Sequence, residues 1–285
     1  MAISSKLKEN RYGKSRVRLV RVKRRVAGND FREWTLDVLL RGDFASCFED
    51  GNNSKILPTD TMKNAVYSLA RSSSAECVED FAKELAEFLV QRNPQVSEAQ
   101  VSASEKQWGH LSGRRGPYPT TFVQSSRERQ TTTVSRNQRG EVTVVSGLED
   151  LVIMKTADSG FAGYIKDPLT TLPESGDRLF GTAVWSRWKY RKTDADFVSL
   201  RDHIREALLS VFAEHKSKSV QHTLYAMANR VLETIPEVDE IELRMPNLHC
   251  LLVDLSRFGQ DNPNEIFVPI DEPHGYIEAL IRREG

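Results

Sequence analysis

Cysteine is scarce in this 285-residue chain: Cys47, Cys77 and Cys250 stand far apart and form no C-x-x-C pair. That spacing argues against a disulfide framework and a zinc ribbon, and it fits a reducing compartment. Long apolar runs are missing too, and none approaches the roughly 20 residues a membrane-spanning helix needs. Neither sign of charge is in excess, since 40 basic and 40 acidic residues leave a net charge of +0. The chain as a whole is therefore not tuned for nucleic acid or an anionic membrane, and any anion site must be local. There is no G-x-G-x-x-G, no phosphate loop and no His/Cys ligand cluster, so no motif calls for a nucleotide, a flavin or a metal. MAISSKLKENRYGK has no apolar signal core and the final REG is not the peroxisomal Ser-Lys-Leu address, which makes a cytoplasmic setting the simplest expectation.

What is present, 39% hydrophobic and 28% charged residues, describes a globular chain. Residues 6–25 carry ten basic residues and one acid, Glu9. Alone this resembles a nucleic-acid arm, but Val17, Leu19, Val20 and Val22 interleave with the charges as in a strand with one wet face. Trp34, Leu36, Val38 and Leu40 alternate more cleanly behind an Ala27–Asp30 turn, predicting a hairpin. Met62, Val66 and Leu69 recur at helical spacing behind Thr59-Asp60, and a second helix is expected from Ser73, with Glu76 completing a capping box. Polar runs at 96–108 and 120–134, the second bearing threonines, read as strands around a loop at 109–119.

The second half repeats the order. Strands are expected at 141–155 and 182–190, helices at 197–214 and 219–234, then strands through Ile241, Leu243, Met245 and through His249, Leu251, Val253, Leu255. The expectation is an α+β fold of two tandem units, 1–138 and 139–285, each an antiparallel sheet with helices on one face. Open sheet edges need partners, and self-association supplies them.

Residues 161–178, FAGYIKDPLTTLPESGDR, place an aromatic, a glycine, paired threonines and an arginine between two strand-like runs. An aromatic face with a guanidinium fork suits a flat anionic heterocycle, Phe161 stacking and Arg178 making two parallel hydrogen bonds. Alone, the blander reading of a core phenylalanine and a solvated arginine is commoner. The run resembles the central signature of the uricases, through Phe161, Gly163, Tyr164, Asp167, Thr170, Thr171, Leu172, Asp177 and Arg178. Lys166 replaces the expected arginine. Five of the further similar stretches are RYGKSRVRLV (11–20), LLRGDF (39–44), PTDTMKNAVY (58–67), FAEHKSKSVQHTLYAM (212–227) and PNLHCLLVDL (246–255). FGQDNPNEIF (258–267) is similar to bacterial members.

The resemblance implies the tunnelling fold of that family, a homotetramer whose subunits join sheets into barrels, and cofactor-free oxidation of urate by dioxygen. It assigns Lys14, Thr59 and His249 as catalytic, and Asp60, Phe161, Arg178, Val220, Gln221 and Asn247 as surrounding urate and dioxygen. The residue types suit the reaction. Thr59 is a poor base alone, and a lysine behind it with a histidine and water completes a proton relay. Thr59 and Val220-Gln221 sit at helix N-termini, where free N–H groups favour an anion, and Asn247 offers an amide to developing oxygen charge. Two competitors remain: a zinc-dependent tunnelling-fold enzyme acting on a pterin or purine nucleotide, and a nucleic-acid binder using residues 6–25.

Overall fold

The computed structural model describes residues 5–284. Strands β1 (Tyr12–Arg25) and β2 (Gly28–Gly42) lead into helices α1 (Ala45–Asp50), α2 (Thr59–Ser72) and α3 (Val78–Arg92), followed by β3 (Val96–Gly113), β4 (Gly116–Asn137), β5 (Val142–Lys155) and β6 (Phe180–Tyr190). Then come α4 (Phe197–Glu214), α5 (Val220–Thr234), β7 (Val238–Arg244), β8 (Asn247–Leu252), a 3₁₀ turn at Ser256–Phe258, β9 (Phe267–Gly275) and β10 (Glu278–Arg282). The chain forms two compact units, one running up to Gly147 and including Lys192–Phe197, the other comprising Leu148–Arg191 and Val198 onward. The expected division between 138 and 139 lies in the turn closed by Gly140 N–H on Asn137 O at 3.0 Å. The compact units divide later, inside β5, whose start is held in the first unit by Thr132 Oγ1 donating to Val145 O at 3.3 Å.

In the first unit β1, β2, β3 and β4 pair antiparallel in that order. Trp34, Leu36, Val38 and Leu40 are fully buried, as their alternation predicts. They meet Met62 and Val66 of α2 and Phe81 and Leu85 of α3 in the unit's core, all fully buried, and Trp34 stacks on Phe81 with ring centroids 5.2 Å apart. Burying each such side chain contributes about 1.5–3 kcal/mol.

Three local expectations are corrected here. Val20 and Val22 are half-exposed, at 54% and 43%, rather than buried with Val17. Pairing with β2 runs unbroken from Val17 to Arg25, so Val20 and Val22 alternate outward and the inward position goes to Arg21, whose guanidinium lies 5.1 Å over Trp34. Ser73 does not cap α3: its hydroxyl accepts from Ala75 N–H at 3.0 Å, the cap position is Cys77, and Glu76 pairs with Lys23 at 2.9 Å and Arg25 at 3.2 Å. The expected loop at 109–119 is instead the end of a long hairpin, Gly113 opposite Gly116, the latter at φ +107, where only glycine is at ease. From Tyr12 on, the basic run is the expected strand, with Arg18 paired to Glu33 at 3.1 Å and Arg25 to Asp30 at 2.6 Å.

In the second unit β6 pairs with β7 and β8, β7 with β10, and β8 with β9, all antiparallel. Leu208, Leu224, Met227 and Val231 bury the inner stripes of α4 and α5 against Ile241 and Leu243. β8 stops at Leu252, short of the expected Leu255, and Leu251 is 51% exposed. β9 and β10 were not expected, because Pro269 and Pro273 interrupt the first of them. Both units are antiparallel sheets backed by helices, the α+β arrangement read from the sequence. Among the described residues no helix is long and apolar enough to cross a membrane.

Candidate active site

Lys14 lies near the start of β1, opposite Val38 and just ahead of the bulge. Gly13 beside it is required by a close backbone approach, since a Cβ there would fall 1.7 Å from Val38 O. The bulge is held by Arg16 N–H donating to Asp37 Oδ1 at 2.5 Å, with Arg16 at φ 57. Thr59 is the first residue of α2, behind Pro58, which holds the cap position and has no side-chain group with which to cap the helix. The first helical bond runs from Met62 N–H to Pro58 O, leaving the N–H groups of Thr59, Asp60 and Thr61 without intrahelical acceptors.

Asp60 is exposed, bonded by Lys63 and by Asn64 Nδ2 at 2.9 Å. Its carboxyl is held below the usual range, first by the Lys63 hydrogen bond and to a smaller degree by the charge of Lys14. Lys14, Thr59 and Asp60 therefore converge at one edge of the first unit. A groove of about 810 Å³ elsewhere on that unit, between Leu19–Arg25 and the end of α2, contains none of them.

The second unit gathers the ring-binding candidates by stitching three loop segments together. Phe161 and Ser175 exchange backbone bonds of 2.8 and 3.0 Å, Arg178 N–H donates to Ser159 O at 2.7 Å, and Gly160 N–H donates to Ser217 O at 2.9 Å. Ser217 leads into α5, which Ser219 caps by accepting from His222 N–H at 3.1 Å. Beneath it the buried Thr223 hydroxyl donates to Ser217 Oγ at 2.8 Å. Thus Phe161, Arg178 and the Val220-Gln221 helix start belong to one hydrogen-bonded frame, with Val220 buried and Gln221 exposed.

The Arg178 guanidinium lies 5.1 Å from the Phe161 ring centroid. Burial pulls its pKa down without threatening its charge, and among the described residues no carboxylate pairs with it. A half-buried cation in that state is a ready anion receptor. Sequence reasoning gave Tyr164 no role, yet its ring stacks on Phe161 at 4.8 Å and 16°. Its place in the Gly163-Tyr164 pair was the available signal.

Much of the remaining signature serves the loop itself. Asp167 Oδ1 accepts from Leu169 N–H at 2.7 Å and Thr170 Oγ1 at 3.2 Å, and Lys166 pairs with Glu174 at 3.1 Å. Asn247 and His249 share a face of β8, with Asn247 Nδ2 3.4 Å from His249 Nδ1, so Leu248 between them points away. Among the described residues no three His, Cys, Asp or Glu side chains gather as a metal-holding group.

The uricase family model matches residues 10–135 and 144–278. The chain belongs to the uricase family. Uricase from Arthrobacter globiformis is 38% identical over 279 residues, covering 98% of this chain and 90% of the relative. Uricase from Dictyostelium discoideum is 35% identical over 279 residues, covering 96% of each. The crystal structure of the Arthrobacter uricase superposes with a TM-score of 0.94 at 37% identity, covering 99% of this chain and 96% of that one. The zinc-dependent alternative receives no support from these uricase matches.

Proposed function

We propose that this chain is a urate oxidase that works without a cofactor, converting urate, dioxygen and water to 5-hydroxyisourate and hydrogen peroxide in purine breakdown. The uricase match through both units carries the reading. It is supported by the unpaired Arg178 guanidinium beside Phe161 on a frame shared with Gln221. The urate ring stacks on Phe161, the Arg178 fork takes one polar edge and the Gln221 amide another, with Val220 walling the slot. Lys14 draws the urate proton through the Thr59 hydroxyl, Asp60 orients that corner, and His249 with water completes the relay. The electron-rich anion passes two electrons to dioxygen above the ring, where the Asn247 amide stabilises the developing oxygen charge. Water adds to the oxidised ring, and the peroxide leaves with the protons released.

The assembly in this reading is a cytoplasmic homotetramer. Lys14, Thr59 and Asp60 come from one subunit, and Phe161, Arg178, Val220, Gln221 and Asn247 from its neighbour, around urate and dioxygen. Exposed Leu251, Leu252 and Val268 on β8 and β9 supply apolar surface for such contacts. The test is an aerobic assay following urate's ultraviolet absorbance together with peroxide. Loss of one with gain of the other is expected, and unchanged absorbance with no peroxide overturns the reading. Sedimentation gives the mass of the assembly, which must be that of four chains.

A further inference from the structure

Tyr12 stands two residues before Lys14 on β1, and its hydroxyl meets a segment 45 residues away. Tyr12 Oη donates to Leu57 O at 3.1 Å and accepts from Leu57 N–H at 2.8 Å. One hydroxyl thus satisfies both backbone polar groups of a single residue, which fixes that residue's orientation as well as its distance. The ring is held in turn, packed edge to face with the fully buried Phe44, ring centroids 4.8 Å apart at 89°. Burial raises the phenol's pKa, so it stays protonated and able to donate.

What lies on either side of this clamp gives it meaning. Leu57 is followed by Pro58, at φ −56 and ψ 139, and then by Thr59 as the first residue of α2. The path from the clamp to the Thr59 hydroxyl therefore runs through a proline and a helix start, with little freedom to drift. On the other side Gly13 is seated against Val38 so closely that no side chain fits, and Lys14 follows at once. Tyr12 and Lys14 are two apart on a strand and share its face.

We propose that Tyr12 is a positioning residue of the proton relay: its hydroxyl, clamped on Leu57, sets where Thr59 stands relative to Lys14. The inference rests on the urate oxidase reading for the relay, but the clamp can be tested without it. Proton transfer between positioned groups tolerates little displacement, and an ångström can cost about 100-fold in rate.

The decisive variant is Tyr12→Phe, which keeps the ring on Phe44 and removes both bonds to Leu57. It should lower kcat by roughly 10- to 100-fold, leave the KM for urate within about threefold, and change the pH profile of kcat. Phe81→Leu, which loosens the core of the same unit through the Trp34 stack, serves as a control matched for lost thermal stability, and it should keep kcat within about twofold. A Tyr12→Phe enzyme with kcat within twofold of the parent, or a Phe81→Leu enzyme slowed as much, overturns the proposal. If the parent protein leaves urate untouched, the functional reading fails instead. Hydrogen exchange at the Leu57 amide then decides the clamp: faster exchange in Tyr12→Phe upholds it, and unchanged exchange removes it.

Discussion

Arg178 holds its guanidinium carbon 5.1 Å from the centre of the Phe161 ring, and neither residue is free to choose that position. Backbone bonds tie Phe161 to Ser175 and Arg178 to Ser159, so platform and fork are two points on one rigid loop. Replacing Arg178 with Gln keeps the loop and removes the charged fork. Binding of a urate analogue should weaken on the order of 100-fold, about 3 kcal/mol. Phe161→Leu should cost nearer tenfold, because it removes stacking and keeps apolar area. Titration calorimetry checks both, and an Arg178→Gln protein that binds as tightly as the parent contradicts the assignment.

Lys14 and Thr59 act, in this account, on a proton and not on the ring. Lys14→Met or Thr59→Ala should therefore slow turnover by roughly 10²- to 10⁴-fold, while analogue affinity stays within a few-fold. Steady-state kinetics beside a binding measurement separates the two effects. Equal losses in kcat and affinity would remove the relay.

How far this arrangement could be read from residues alone differs from place to place. Trp34, Leu36, Val38 and Leu40 announced β2, because a sheet with one buried face imposes a period of two. Neighbouring β1 was misphased, because its unbroken alternation from Val17 turns Arg21 and not Val20 or Val22 inward, with the guanidinium over Trp34. Ser73 looked like a cap for α3 because its spacing to Glu76 is right, but Lys23 and Arg25 from another strand claim that glutamate. The candidate site was legible through the order of its motifs. Its geometry was not, since the Ser159–Arg178, Gly160–Ser217 and Tyr12–Leu57 bonds join residues whose separation in the chain carries no signal.

Gly13 gives a prediction about the scaffold. Gly13→Ala would drive a methyl to 1.7 Å from Val38 O, and backbone cannot yield there without parting β1 from β2. A loss of about 3 kcal/mol or more in unfolding free energy is expected, measurable as a lower urea midpoint. A variant as stable as the parent would mean that the two strands are less closely seated.

His215 and His222 set a pH dependence of stability. Their ring nitrogens lie 3.1 Å apart, and the His215 pKa is pushed below its usual value, first by burial and then by the charges of His222 and Lys155. The unfolded chain takes up a proton near pH 6.5 while the native ring resists it. Stability is therefore full above about that pH and falls as pH drops through the window below it. Denaturant midpoints at pH 7.5 and about 5.5 should differ more in the parent than in His215→Gln. Equal slopes would dismiss the pair as a contributor.

The most direct measurement is the stoichiometry of an aerobic reaction, with oxygen uptake, urate loss and peroxide formation followed in one vessel on enzyme dialysed against a strong chelator. The account predicts equimolar change in all three at a rate the chelator does not alter. Oxygen uptake that fails to match urate loss, or activity abolished by the chelator and restored by a metal, would contradict it.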